Sequence, residues 1–542
     1  MRKRVEDLSE QDYREFFEWL LEKDITLYKE LDLSLCSTQN EPYIFFPKEI
    51  EEFLQTPPMQ RLKKITQLGT GIVEDPNVYH TRYAHSLGTY NNAVIFYMLQ
   101  FRNNRWRSRI ESENRKLEVL ADIMESLRHD DGHNILSHSL EKLIGKEKGL
   151  HEILGARFKE EYEPTIEALN KIHPDLCETM KRVSSEDYPL ILLREGNLDF
   201  DRLDFLARDI FYLGKKEQRE LVNRLIKNSS IQTVIKDGKK QEIVVYEYEA
   251  LTDIEEFLNL RAMNYKEIYT SNTKKGLDIL EEEFCRRLIK SDSNVGQELK
   301  DYLKLCISSG AENLDLSKFI SWNDIRYFNE LFSIAVSEPN EELRELALAC
   351  MPSAEGLYAL AIEMIDPKNR KEEEFTEDEK NFLKNLRDIS EENNILHKAL
   401  YEDKKSGVIV LNSTSVEDIN SIVEELKMSD IDIKTEGLYF WKKIIRKYNP
   451  EEPIYVKARD GKIYTLDEHP ERTMDLTELK NYGAMIVPSI MRLEGVSKEK
   501  MDVIRAKFDD FNKEHTKQEP FERKYSLRLF KVGNKPYIPE YE

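Results

Sequence analysis

From residue 48 to about 225, apolar side chains recur every three or four positions in segment after segment: EIEEFLQTP, QRLKKITQLGT, SLGTYNNAVIFYMLQFR, KLEVLADIMESLRHD. A helix of 3.6 residues per turn gathers such spacing onto one face, so this stretch is predicted to run helix after helix with short polar breaks. Each helix then carries an apolar stripe that a neighbour must cover, which makes a packed helical core the expected result. Composition agrees, since glycine and proline are sparse, at 20 and 18 of 542 residues, and 34% of residues are charged. The expected fold class is mainly α with few strands. With 40% hydrophobic residues, a chain of this length can supply core for about two or three domains.

Four regions follow from the patterning. Residues 1–45 read as an N-terminal helical extension that ends in a short apolar strand, Tyr43-Ile44-Phe45-Phe46, stopped by Pro47. Residues 46–370 form the helical core. Within it SIQTVIKDGKKQEIVVYEYEAL alternates apolar and polar residues around Asp237-Gly238, which predicts a β-hairpin, and helices resume from 251 to about 365. Residues 371–399 are a charged linker or helix. Residues 400–542 read as an α+β C-terminal domain, with strand, cap and helix in GVIVLNSTSVEDINSIVEELK and a second hairpin in PIYVKARDGKIYTL around Asp460-Gly461.

Several function classes are disfavoured. The basic start lacks the apolar run of a signal peptide, and no stretch of about 18 apolar residues could span a membrane, so a cytosolic protein is expected. The five cysteines are scattered without a C-x-x-C pair, which predicts reduced, buried thiols instead of a zinc or disulfide framework. A formal net charge of -22 repels long nucleic acid over most of the surface. A small anionic substrate would need a pocket where arginines, a metal or helix N-termini reverse the local sign.

Histidines are not spread evenly. Six of the ten (His80, His85, His129, His133, His138, His151) fall between residues 80 and 151. Within that window RHDDGHNILSH places His129 beside Asp130, and a continuing helix would bring His133 onto the face of His129. Imidazole and carboxylate can ligate one divalent cation together, but two ligands do not make a site. Candidates for the rest are His85 in HTRYAHSLGTY and the carboxylates Asp201, Asp204 and Asp209 in LDFDRLDFLARD. His80, His173, His397, His469 and His515 read as structural or surface residues.

Taken in order, QRLKKITQLG, HTRYAHSLG, HDDGHNILSH, HE, DFDRLDFLARDIFYLG and RAMNYKEIY resemble the HD-domain dNTP triphosphohydrolases, the branch of the mammalian SAM- and HD-domain enzyme and its bacterial HD-only relatives, over about residues 44 to 365. The resemblance implies a helical HD-domain core with a small β-hairpin. It implies metal ligands His85, His129, Asp130 and Asp201, and catalytic roles for His133, His138, His151 and Asp130. Arg82 would face the phosphate chain and Asp209 the sugar 3'-hydroxyl, with Arg261 and Tyr269 completing the substrate contacts. The cofactor implied is a divalent metal ion, with iron, manganese, nickel, zinc and magnesium all admissible, and a second Mg2+ accompanying the nucleotide.

The implied reaction is attack of water on the α-phosphorus of a deoxynucleoside triphosphate, releasing deoxynucleoside and triphosphate. A homo-oligomer with a nucleotide effector is implied by the same relatives. The sequence departs from the family at Asp131, at Asn134-Ile135-Leu136, at Phe205 in place of a tyrosine and at Asn272 in place of a lysine. Two alternatives stand beside this reading: an HD phosphohydrolase or phosphodiesterase acting on another nucleotide, and a nucleotide-sensing regulator, for instance in phage defence.

Overall fold

The computed structural model describes residues 8–31, 43–74, 80–140, 150–183, 196–210, 218–236, 239–269, 271–352, 356–366, 439–445, 448–449, 452–475, 481–492, 497–515 and 522–532. The Asp237-Gly238 turn, residues 371–399 and the strand-cap-helix expected over 407–427 lie outside these residues. The fold is mainly α, with small sheets. Among the described residues no helix is long and apolar enough to cross a membrane.

Two apolar clusters hold the helices together. The first gathers Phe16 and Phe17 of the Glu10–Leu21 helix with Tyr90, Phe96 and Tyr97 of the Arg82–Phe101 helix and with the Lys116–Arg128, Phe200–Asp209 and Leu251–Asn264 helices. The N-terminal helix is thus part of the core packing. The second cluster gathers Ile135, Leu136 and Leu140 with the Leu150–Glu161 and Asn272–Lys290 helices and with Phe319, Tyr327 and Leu331. Residues 129–140, directly after the Lys116–Arg128 helix, cross from the first cluster to the second.

Strands fall into three sheets. Strands β1 (Leu27–Leu31) and β2 (Tyr43–Pro47) pair antiparallel. Strands β3 (Ser229–Lys236) and β4 (Lys239–Tyr246) form the first hairpin, with Lys236 opposite Lys239. Strand β5 is Gly356–Asp366 and β6 is Tyr439–Ile445. The second hairpin joins β7 (Tyr455–Lys457) to β8 (Ile463–Thr465) through Gly461, whose φ of 80° suits glycine. Strand β7 runs parallel to β4, so the order β3-β4-β7-β8 ties the two hairpins into one sheet. Tyr448, Ile454, Val456 and Leu466 enter the first cluster, and the 448–475 segment therefore packs on the helical core.

Helices expected to continue to about 365 stop at Ala349, and GLYALAIEMID is β5 instead. With β9 (Asn481–Arg492) and β10 (Glu522–Val532), the order is β10-β5-β9-β6, which pairs β5 on both edges. A short run apolar on both faces does not distinguish a strand from a buried helix by periodicity, and here long-range pairing decides.

Candidate metal centre

Three helix ends bring the ligand candidates together. Thr81 caps the Arg82–Phe101 helix by accepting from Ala84 N–H, which fixes the first turn carrying Arg82 and His85. Asp199 caps the Phe200–Asp209 helix by accepting from Arg202 N–H at 2.6 Å and so sets the first turn carrying Asp201. The Lys116–Arg128 helix ends at Arg128, and His129 and Asp130 begin the segment beyond it. The expectation that His133 shares a helical face with His129 is therefore overturned. Residues 131–140 turn away, and a Cβ at Gly132 would collide with the backbone of His151 on the neighbouring helix. Close approach of the two segments requires glycine there.

Three of the predicted donors, His85, His129 and Asp201, converge, and Asp130 lies beside the two histidines. His85 Nε2 lies 2.9 Å from Asp201 Oδ1, 3.1 Å from His129 Nε2 and 3.7 Å from Asp130 Oδ2. His129 Nε2 lies 3.4 Å from Asp130 Oδ1 and 3.5 Å from Asp201 Oδ1. Ligands set at right angles, about 2.1 Å from a shared ion, would stand roughly 3.0 Å apart, so these spacings fit one divalent cation. His85 is fully buried, and burial opposes its charge. Hydrogen bonds to Asp201 and Asp204 and the nearby Asp130 more than offset that, raising its pKa to about 10. Burial alone would also raise Asp130, yet the charges of Arg82, His129 and His133 hold it well below the carboxylate range. Positive charge is favoured at this point, as a cation site requires.

Asp204, one of the three candidate carboxylates, has a definite place beside His85. Its Oδ2 accepts from His85 Nδ1 at 2.8 Å, which aims Nε2 at the other donors, and its two oxygens also engage Arg208 and Arg219. Gly88 leaves the room this needs, because a Cβ there would strike Asp204 Oδ1. The signal was present in sequence, since Asp204 follows Asp201 by three residues and shares its helix face.

His133, His138 and His151 form a second group beside the first. The rings of His133 and His151 stack at 4.1 Å, and His138 stands edge-on at 4.6 Å from His133. His133 Nε2 lies 3.1 Å from Asp130 Oδ1, linking the groups. Burial, aided by the charge of Arg82, holds His133 well below the usual imidazole range. Arg82 donates to Asp130 Oδ2 at 2.8 Å and to Ser137 Oγ at 2.9 Å. Leu136 and Ser137 both take positive φ, 52° and 54°, a strained backbone held where Ser137 receives that arginine.

The remaining predicted residues are placed as follows. Asp209 is buried, 2.7 Å from His80 Nε2, and accepts from Tyr269 Oη at 2.6 Å. His80, read as structural or surface, is thus fully inside this network. Arg261 donates to Asn197 Oδ1 at 2.7 Å and is not among the residues lining the cavity. Asp131 pairs with Arg128 at 2.7 Å, and Phe205 lies edge-on to His85 at 6.1 Å. The metal-ligand candidates other than His85, the three histidines, Arg82, Asp209 and Tyr269 line one cavity of about 1510 Å³. Glu452, Pro453, Ile454 and Tyr455 line it too, so the C-terminal hairpin segment contributes a wall that sequence reading did not place there.

No family model matches the chain. Curated relatives do. The chain is 24% identical over 329 residues to the uncharacterised protein YwfO of Bacillus subtilis, covering 55% of this chain and 70% of that one. It is 25% identical to a putative HD domain-containing protein, L394, of Acanthamoeba polyphaga mimivirus, covering 47% and 58%. With a Dictyostelium discoideum protein described as a deoxynucleoside triphosphate triphosphohydrolase SAMHD1 homolog it shares 24% identity, over 43% of this chain and 45% of that one. The fold is similar to that of a phosphohydrolase, BT4208, from Bacteroides thetaiotaomicron, at a TM-score of 0.56 and 20% identity, covering 85% of this chain and 99% of that one.

The helical core brings a His-Asp pair, His129 and Asp130, beside two residues distant in sequence, His85 and Asp201. The chain is similar to an HD domain-containing protein and to a protein described as a dNTP triphosphohydrolase homolog, and its fold is similar to that of a phosphohydrolase. It spans about half the length of several of the curated relatives it matches.

Proposed function

We propose that this chain is a metal-dependent phosphohydrolase that cleaves deoxynucleoside triphosphates to deoxynucleoside and inorganic triphosphate. The observation that carries the reading is the convergence of His85, His129 and Asp201, with Asp130 against both histidines, beside the His133, His138 and His151 group. The four donors would hold one divalent ion, and iron, manganese, nickel, zinc and magnesium all accept such a set. When bound, such an ion supplies Lewis acidity, making water more acidic and drawing charge from a phosphoryl oxygen.

The chain's own residues do the rest. Asp204 orients His85. His133, disposed to the neutral form by burial beside Arg82, would hydrogen-bond the phosphate chain, and His138 and His151, which lie against it, would supply protons and further hydrogen bonds there. Arg82 supplies a fixed positive charge beside Asp130. Asp209, steadied by His80 and Tyr269, is assigned to the sugar 3'-hydroxyl. Arg261 would have to leave Asn197 to reach a phosphate. A second Mg2+ with the nucleotide, a homo-oligomer and a nucleotide effector belong to the same proposal by analogy with the family it resembles, and a cytosolic location by the lack of a signal-peptide-like or membrane-spanning run in the sequence.

The test is product identification with a panel of dNTPs and each metal in turn. Equal release of deoxynucleoside and triphosphate is expected. Release of monophosphate or diphosphate would move the chain to another phosphohydrolase activity, and tight nucleotide binding without turnover would favour a sensor.

A further inference from the structure

The run Asn134-Ile135-Leu136 is one of the places where the sequence departs from the family it resembles, and it leads into a strained turn. Leu136 and Ser137 take positive φ, 52° and 54°, one after the other. Neither residue favours that conformation, so the surrounding structure has to impose it. The imposing group comes from far along the chain. Asp324, buried at the first turn of the Asp324–Ser337 helix, accepts from Leu136 N–H through Oδ1 at 2.8 Å. Its Oδ2 accepts from Thr66 N–H and from Thr66 Oγ1, both at 2.8 Å. One carboxylate therefore joins three segments, and each of these partners is a donor. Two further groups hold the start of the turn: Tyr302 Oη donates to Asn134 Oδ1, and Arg61 Nη1 donates to His133 O.

What the turn carries faces the cavity. Ser137 Oγ donates to Thr66 O and accepts from Arg82 Nε at 2.9 Å. Arg82 Nη1 donates to Asp130 Oδ2 at 2.8 Å, so serine and aspartate fix the guanidinium from two sides. Thr66 lies against the start of the arginine's own helix, since Arg82 N–H donates to Ile65 O and Thr66 bridges to Thr81. His138 follows Ser137 directly. Asp324 is not among the residues lining the cavity, yet it sits where the segments presenting Arg82 and His138 cross.

We propose that Asp324 is a positioning residue: by holding Leu136 and Ser137 left-handed it keeps the Ser137 hydroxyl on Arg82 and fixes the guanidinium where a phosphate oxygen would meet it. The inference rests on the phosphohydrolase reading for the role of Arg82 and adds to it the group that sets the arginine. Without this carboxylate two buried N–H groups and a hydroxyl lose their acceptor, and the strained pair is released toward negative φ. Asparagine is no substitute, because its NH2 would face donors. His85, His129 and Asp201 take no part in the clamp, so metal binding serves as the control.

A double-mutant cycle on the metal-loaded full chain tests this, with Asp324→Asn and Ser137→Ala made singly and together. The readouts are bound metal, affinity for inorganic phosphate by calorimetry, and kcat/KM for a dNTP. Each single variant should keep its metal, bind phosphate severalfold more weakly and lose at least about tenfold in kcat/KM. The double variant should fall within about twofold of the weaker single, because both changes release the same arginine, whereas a merely structural role multiplies the two losses. Should Asp324→Asn fail to fold, Thr66→Val takes its place in the cycle. It removes one donor, keeps the shape and should lose roughly two- to fivefold, again without adding to the loss in Ser137→Ala. Multiplied losses, departure of the metal, or a phosphate affinity and kcat/KM unchanged in either single variant would overturn the proposal. Phosphate binding is read without turnover, so the two readings fail separately: a chain that cleaves no dNTP removes the substrate reading, while the cycle in phosphate affinity still decides the role of Asp324.

Discussion

His85, behind the cavity wall, and His133, which lines the cavity, are both fully buried, yet the protein holds their protons in opposite ways. Carboxylates on three sides raise His85 to about 10 against its burial, while burial and the charge of Arg82 keep His133 well below the imidazole range. The difference follows the packing. The elements bearing His85 and Asp201 belong to the first apolar cluster, whereas His138, His151 and Lys274 lie on segments of the second. The carboxylates gather on one side and the imidazoles of His133, His138 and His151 on the other, and residues 129–140 connect them. Burial alone therefore does not set the chemistry of a buried group; the charges placed around it do.

The sharpest way to break this comparison is to remove each imidazole in turn. His85→Ala should lose bound metal and reduce activity by at least about 10³-fold. His133→Ala should keep the metal while kcat falls by roughly 10²–10⁴-fold. Loss of metal from both variants, read by elemental analysis, would erase the distinction between the two sides. A smaller effect is expected from Asp204→Asn, which leaves every ligand in place but no longer fixes the His85 ring. Metal affinity should fall about 10–100-fold, measured by competition with a chelator.

The smallest effect tests whether a neighbouring cation, more than burial, decides ionisation. Asp278, beside two lysines, is held below the carboxylate range despite its burial. Glu281, one turn further along and more deeply buried, is pushed up to about 8 by desolvation. Between roughly pH 4.5 and 8 folded Glu281 keeps a proton that the unfolded chain has released, so stability falls as pH rises through that window and levels off above it. Glu281→Gln should flatten this fall and raise Tm at pH 8 by a few degrees, with little change at pH 4.5. An unchanged difference between melts at the two pH values would refute the assignment.

Much of this was legible in sequence because its signals are local. Helical spacing located the core helices, and histidine density together with the His129-Asp130 pair pointed to the centre. What stayed hidden depends on contacts between distant segments. Lys274 and Ser139 stand 135 positions apart, and nothing in their flanks couples them. Nothing in the sequence couples His80 to Asp209, which the fold brings within 2.7 Å of it. Residues 356–366 read as helix because the partners that make them a strand arrive more than a hundred residues later. Pro453 and Tyr455 line the cavity only because β7 adds to β4.

The most direct measurement is the divalent-metal content of the purified chain beside that of Asp201→Ala, each after dialysis against a weak chelator. Wild type should retain about one ion per chain, and the variant should retain essentially none while remaining folded by circular dichroism. A variant that keeps both its ion and its hydrolytic activity would contradict the account.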